Sequence, residues 1–115
     1  MKQAAAMLVI ATALLATSAC KPCKNDDPRA RILNNGTDKA SVQVKTTGGN
    51  TININNIQPG TASSYDSFAA GDATFTITVS NVDYVEVVPM ANCYEYDIAI
   101  DANNVITTTA INRND

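Results

Sequence analysis

Three cysteines and one closely spaced pair of carboxylates are the residues of this 115-residue chain whose types could do chemistry. Cys20 and Cys23 stand in CxxC spacing, which beside a βαβ pattern in a cytosolic chain would mark a redox pair. No such pattern surrounds them. Glu95 and Asp97 lie two residues apart, so on a strand they share one face, with Asp101 beyond. Two acids on one face suit glycoside hydrolysis. They equally suit a calcium site made of carboxylate oxygens. Their alternation with Tyr94, Tyr96, Ile98 and Ile100 argues instead for an outward, solvated face.

The chain has no histidine, which excludes Ser–His and Cys–His nucleophilic catalysis. Three cysteines alone fall short of the four ligands of a structural zinc site. Gly48-Gly49 is an isolated pair and makes no phosphate loop. No metal and no cofactor is expected. The formal net charge of −3, with no basic cluster, argues against a nucleic-acid partner. Asp101-Ala-Asn-Asn104 lacks the glycine and distal glutamate of a calcium loop and reads as a turn. Tyr65 and Tyr84 are either sugar-stacking platforms or core residues with the hydroxyl at the rim. The row Thr74, Thr76, Thr78 fits the wet face of a strand.

Residues 14–27, LLATSACKPCKNDD, decide where such a chain would live. Lys2 precedes an uncharged run from Ala4 to Ala16, too short to span a bilayer permanently. Small residues follow at Thr17, Ser18 and Ala19, the order of a secretory signal. Leu15-Ala16-Thr17-Ser18-Ala19-Cys20 resembles the lipobox of bacterial lipoproteins, although Thr17 stands where that family has Leu or another aliphatic. The resemblance implies that residues 1–19 are cleaved and that Cys20 carries two or three acyl chains. One chain alone binds a bilayer only marginally, whereas several anchor a protein without a transmembrane helix. Lys21 rather than Asp follows Cys20, so the inner-membrane retention signal is absent. Lys24-Asn25-Asp26-Asp27 resembles the charged export signal of Bacteroidota lipoproteins, which implies an outer-membrane, surface-facing location. A plain solvated linker is the other reading, as is a secretory signal cut without lipidation. With Cys20 lipidated, Cys23 and Cys93 remain as an even pair for a disulfide in an oxidising compartment. A small residue at Cys93 and a free thiol at Cys23 is the alternative.

Period-2 alternation dominates from residue 29 on and positions these groups. It predicts strands over 29–33, 40–45, 51–55, 61–68, 74–80, 84–88, 93–100 and 105–111. Turns of Asn, Asp, Gly and Pro separate them. Phe75, Ile77 and Val79 face inward. Ile57 falls on the wrong parity against Ile52 and Ile54, so a bulge near Asn55-Asn56 or the end of the strand is expected. Pro89 ends its strand or marks a sheet edge. Seven or eight short strands at this spacing predict an all-β chain, a single small antiparallel β-sandwich. Ile57-Gln-Pro-Gly-Thr-Ala-Ser-Ser-Tyr65, with Phe68 and Gly71, resembles a stretch of Ig-like or transthyretin-like exported modules. That resemblance implies a Pro-Gly turn and an aromatic plug, and no activity.

The expected organisation is a cleaved lipoprotein signal over 1–19, a lipid-anchored tether over 20–28, and a sandwich over 29–115 ending in a polar tail. The expected function is a non-enzymatic binding or accessory module for protein or glycan at the bacterial cell envelope. Two alternatives stay open: a carboxylate-based glycan hydrolase or calcium-dependent sugar binder using Glu95 and Asp97, and a purely structural envelope component.

Overall fold

The computed structural model describes residues 23–114. The signal and Cys20 lie outside the described residues. Nine strands follow one another: β1 (Arg29–Asn35), β2 (Ala40–Lys45), β3 (Thr51–Ile57), β4 (Thr61–Ala62), β5 (Asp66–Ser67), β6 (Gly71–Val79), β7 (Val82–Met90), β8 (Tyr94–Asp101) and β9 (Ile106–Asn112). They form two sheets. The first runs β9-β8-β1-β4, with β5 also on β1, and the second runs β3-β2-β6-β7. The described residues therefore form an all-β sandwich.

The alternating side chains of both sheets make the core. Ile32 of β1, Val44 of β2, Phe75 and Ile77 of β6, and Ile98 of β8 are fully buried. Phe68 packs edge-on against Phe75 with ring centroids 6.0 Å apart. Burying such side chains from both sheets at once is the main force holding the layers together, at ~25 cal/mol per Å² of apolar surface. One buried polar side chain is a structural weld. Asn34 donates through Nδ2 to the carbonyls of Asp38 and Ile57, both at 2.8 Å. Its Oδ1 accepts from the Gly36 amide at 3.0 Å.

Three local expectations meet the structure differently. Ala40 pairs with Ile57 and Val42 with Ile54, so Asn55 and Asn56 together oppose Ser41. Of the two outcomes that the parity of Ile57 allows, this is the bulge and not the strand's end, and Asn56 takes a positive φ of 59° within it. The expected strand over 61–68 is instead two short bridges to β1. Ser63 bonds both backbone groups of Ile32, and the chain then arches away before Asp66 returns to Ala30. The sandwich is also not wholly antiparallel: β1 and β8 run parallel. The crossover between them passes through the whole second sheet.

One pole of the sandwich gathers the incoming chain. Cys23 and Cys93 are joined by a disulfide. The Cys93 amide donates to the Asp26 carbonyl at 2.9 Å, and the Phe68 amide donates to that of Pro28 at 2.9 Å. Residues 23–28 are thus fastened along this pole although they form no strand. The turns Asn35–Lys39, Ser80–Asn81 and Asp101–Val105 lie at the opposite pole, since β1 and β8 both run from the disulfide towards them.

Candidate functional site

Glu95 and Asp97 share the outer face of the first sheet, as their spacing requires, but they are not simply solvated. The parallel register sets Arg29 opposite Glu95 and Arg31 opposite Asp97. Arg31 grips Asp97 with a fork, Nε to Oδ1 at 2.9 Å and Nη2 to Oδ2 at 3.2 Å. Such a planar, two-point match is what guanidinium does best against a carboxylate. Arg29 donates to Glu95 Oε2 through Nε at 2.7 Å and also through Nη2. Arg113 Nε lies 3.8 Å from the same Glu95 oxygen.

Tyr65 covers this ladder. Its ring centroid is 4.9 Å from the Arg31 guanidinium carbon and 5.3 Å from that of Arg29. Both distances suit cation–π attraction. Its hydroxyl donates to Asp97 Oδ1 at 2.7 Å. Tyr65 is thus neither a core residue nor an open stacking platform. It can reach the arginines because the chain arches between β4 and β5.

The electrostatics follow from these contacts. The fork from Arg31 holds the Asp97 carboxyl below its usual range, with partial burial opposing and the Tyr65 hydroxyl assisting. Burial, and then the hydrogen bond to Asp97, raises the Tyr65 phenol above its ordinary value. A glycosidase acid needs a carboxyl raised so that it keeps its proton at neutral pH. Asp97 is pushed the other way. Among the described residues, no group of three or more His, Cys, Asp or Glu is placed to hold a metal ion.

The second candidate region lies at the pole opposite the disulfide. There the turns β1–β2, β6–β7 and β8–β9 frame a cleft of about 170 Å³, lined by Thr37, Asp38, Ser80, Tyr84, Asp101 and Asn104 among others. Its loops are braced to one another. Ser80 Oγ donates to Asp38 Oδ2 at 3.1 Å. Asp101 Oδ1 accepts from the amides of Asn103 and Val105 at 2.8 and 3.0 Å. The Asp101–Asn104 segment is therefore a side-chain-capped turn. Ser80 and Asn81 both take positive φ, as a two-residue hairpin turn demands. The cleft offers carboxylate, amide and hydroxyl groups and one tyrosine, and no lysine or arginine lines it.

Alternation marked the face of Glu95 and Asp97 but not their partners. Arg29 and Arg31 lie 66 residues away, and only the β1–β8 pairing joins them. The sequence does hold a faint signal: Arg-x-Arg on one strand matches Glu-x-Asp on another, both with period 2. No protein-family model and no curated protein matches this chain.

Proposed function

We propose that this protein is a lipid-anchored component of the bacterial cell envelope, held to the outer membrane through Cys20. Its β-sandwich would then serve as a non-enzymatic binding or accessory module for protein or glycan. The observation that carries the reading is the polarity of the domain. The chain is fastened at one pole, where Cys23 is bonded to Cys93, and a braced polar cleft stands at the other. A lipid three residues before Cys23 would leave that cleft facing away from the membrane, where a ligand can reach it.

The arginine ladder supports the non-enzymatic half of the reading. Glu95 and Asp97 already spend their charge on Arg29 and Arg31 on the outer face of a sheet, which disfavours a hydrolase or a calcium-dependent sugar binder. The turn at Pro59-Gly60 and the buried plug Phe68 are in keeping with the resemblance to Ig-like or transthyretin-like exported modules, and that kinship is part of the proposal.

Two measurements test it. The first is the intact mass of the native protein extracted from its own membranes. A chain beginning at an acylated Cys20 is expected, and an unacylated soluble chain would overturn the anchor. The second is amide chemical-shift mapping against soluble envelope glycans and proteins. Shifts confined to residues 36–38, 80–84 and 101–104 are expected. Glycan turnover, abolished by Glu95→Gln, would install the hydrolase instead.

A further inference from the structure

The second sheet ends at β7, which pairs with β6 and with no other strand among the described residues. The hairpin fixes which of its backbone groups stay free. Val79 pairs with Val82 across the two-residue turn Ser80–Asn81. The pair flanking such a turn exchanges both hydrogen bonds, and pairs alternate from there. Val82, Tyr84, Glu86, Val88 and Met90 therefore spend their amides on β6. Asp83, Val85 and Val87 point theirs at the open edge. Pro89 has no N–H and closes the window at one end, and the turn closes it at the other.

The side chains over that window are unusual for an edge. Val85 is 58% exposed and Val87 54% exposed, on the outer face beside Thr76 and Thr74. Open edges are ordinarily blunted by charge or proline because they template further strands. Here Asp83 and Pro89 bound the window, and Glu86 between the valines points inward, where its Oε2 accepts from Thr108 Oγ1 of β9 at 3.2 Å, so the outer face at the centre is valine alone.

We infer that β7 is a docking edge for a second copy of this chain, the two β7 strands running antiparallel about a dyad at Val85 and merging the two four-stranded sheets into one. The argument for a second copy is that one register is self-complementary. With Val85 opposite Val85, Asp83 faces Val87 of the second copy, and Val87 faces its Asp83. All three open residues on each chain then form two-bond pairs, about six inter-chain backbone hydrogen bonds. On the inner side Glu86 faces Tyr84 of the second copy, so no like charges meet. Four valines close into one outer patch. Moving the dyad one residue to Glu86 sets Glu86 against Glu86 and leaves the Asp83 carbonyl facing Pro89, which has no N–H to donate. Moving it to Tyr84 sets Val87 beyond the end of the second strand, against Asn81. This inference goes beyond the proposed function and does not rest on it.

The test is a cysteine placed on the dyad. Cross-strand Cα separations of about 5.5 Å in a hydrogen-bonded pair lie within disulfide range. The full chain carrying Val85→Cys, purified in mild detergent and gently oxidised, is expected to run mostly as a covalent dimer on a non-reducing gel. Val105→Cys, equally exposed but at the far turn, is expected to stay monomeric. Adding Val87→Lys to Val85→Cys is expected to cut the dimer at least tenfold while leaving the circular dichroism unchanged. Monomeric Val85→Cys, equal cross-linking from Val105→Cys, or a Val85→Cys adduct with a different protein would each overturn the inference.

Discussion

The disulfide between Cys23 and Cys93 closes 70 residues of chain, and replacing both cysteines by serine measures what that closure contributes. In the chain-entropy account, a cross-link over a loop of this length stabilises by about 4 kcal/mol, because it removes conformations from the unfolded chain. That is a large share of the ~5–15 kcal/mol typical of a whole domain. It corresponds to a fall in melting temperature of roughly 15–30 °C for a domain this small. Three backbone hydrogen bonds survive the double substitution, Cys93 to Asp26, Phe68 to Pro28 and Arg113 to Cys93. The native fold should therefore persist with its amide spectrum changed only near residues 23–28 and 91–93. The assay is urea unfolding followed by tyrosine fluorescence, since the chain has no tryptophan. An entropic cross-link predicts a lower midpoint together with a slightly larger denaturant slope, because the freed unfolded chain exposes more surface. A loss under about 1 kcal/mol, with the wild type shown oxidised by its mass gain on reduction, would refute the account. So would an equally large loss accompanied by spectral changes throughout the second sheet, because the bond would then act on the native state.

Asn34→Ala leaves the Gly36 amide and the Ile57 and Asp38 carbonyls without their partner, at about 1–3 kcal/mol for each group kept from water. Chemical denaturation should show a loss of several kcal/mol, and one under about 1 kcal/mol would mean that water takes over these bonds. Asp97 contributes stability that is complete above the ordinary aspartate range near pH ~3.9. It is lost as the pH falls through the lower folded value. The gap between wild type and Asp97→Asn should therefore be widest at neutral pH and shrink in acid, and a gap constant across the titration would rule out the ion pair as its source. Gly71 takes φ +117°, and a Cβ there would sit 2.7 Å from Thr47 Oγ1. Gly71→Ala should cost more than ~1 kcal/mol, with only the steric part recovered on a Thr47→Ala background. Full recovery there would show that backbone strain contributes nothing.

Local patterning carried the second sheet further than the first. Over residues 40–45, 51–55 and 74–79 each residue's face follows from alternation, and the bulge is one of the two outcomes that the parity of Ile57 allows. Hairpins join β2 to β3 and β6 to β7, so most neighbours in this sheet are also neighbours in sequence, and only the β2–β6 pairing bridges a longer excursion. The first sheet joins β1 to β8 across more than sixty residues, and alternation specifies a face without specifying a neighbour. The solvated face expected for Glu95 and Asp97 therefore became an arginine ladder. Tyr65 was illegible for a related reason. Its place depends on Ser63 satisfying both backbone groups of Ile32 and so releasing the chain to arch over Arg29 and Arg31. A serine in an apparent strand carries no sign of that.

The proposed anchor and the proposed pairing of β7 strands constrain one another. Antiparallel pairing turns the second copy end for end, so the two Cys23 poles lie at opposite ends of the joined sheet. The nine residues of β7 span ~30 Å at about 3.4 Å each. The three residue-to-residue steps from Cys20 to Cys23 reach at most ~10 Å, and the disulfide prevents further chain from being paid out. Two copies standing upright in one bilayer therefore cannot meet through β7. Copies in facing bilayers can, and in a single bilayer the strands would have to lie along the surface. Lipidated protein reconstituted into two differently labelled vesicle populations separates these cases. Upright anchoring predicts energy transfer between the populations that is lost with Val87→Lys, and a Val85→Cys cross-link that forms only at vesicle concentrations where collisions occur. Cross-linking undiminished by dilution would refute the upright geometry and lay the sandwich flat on its membrane.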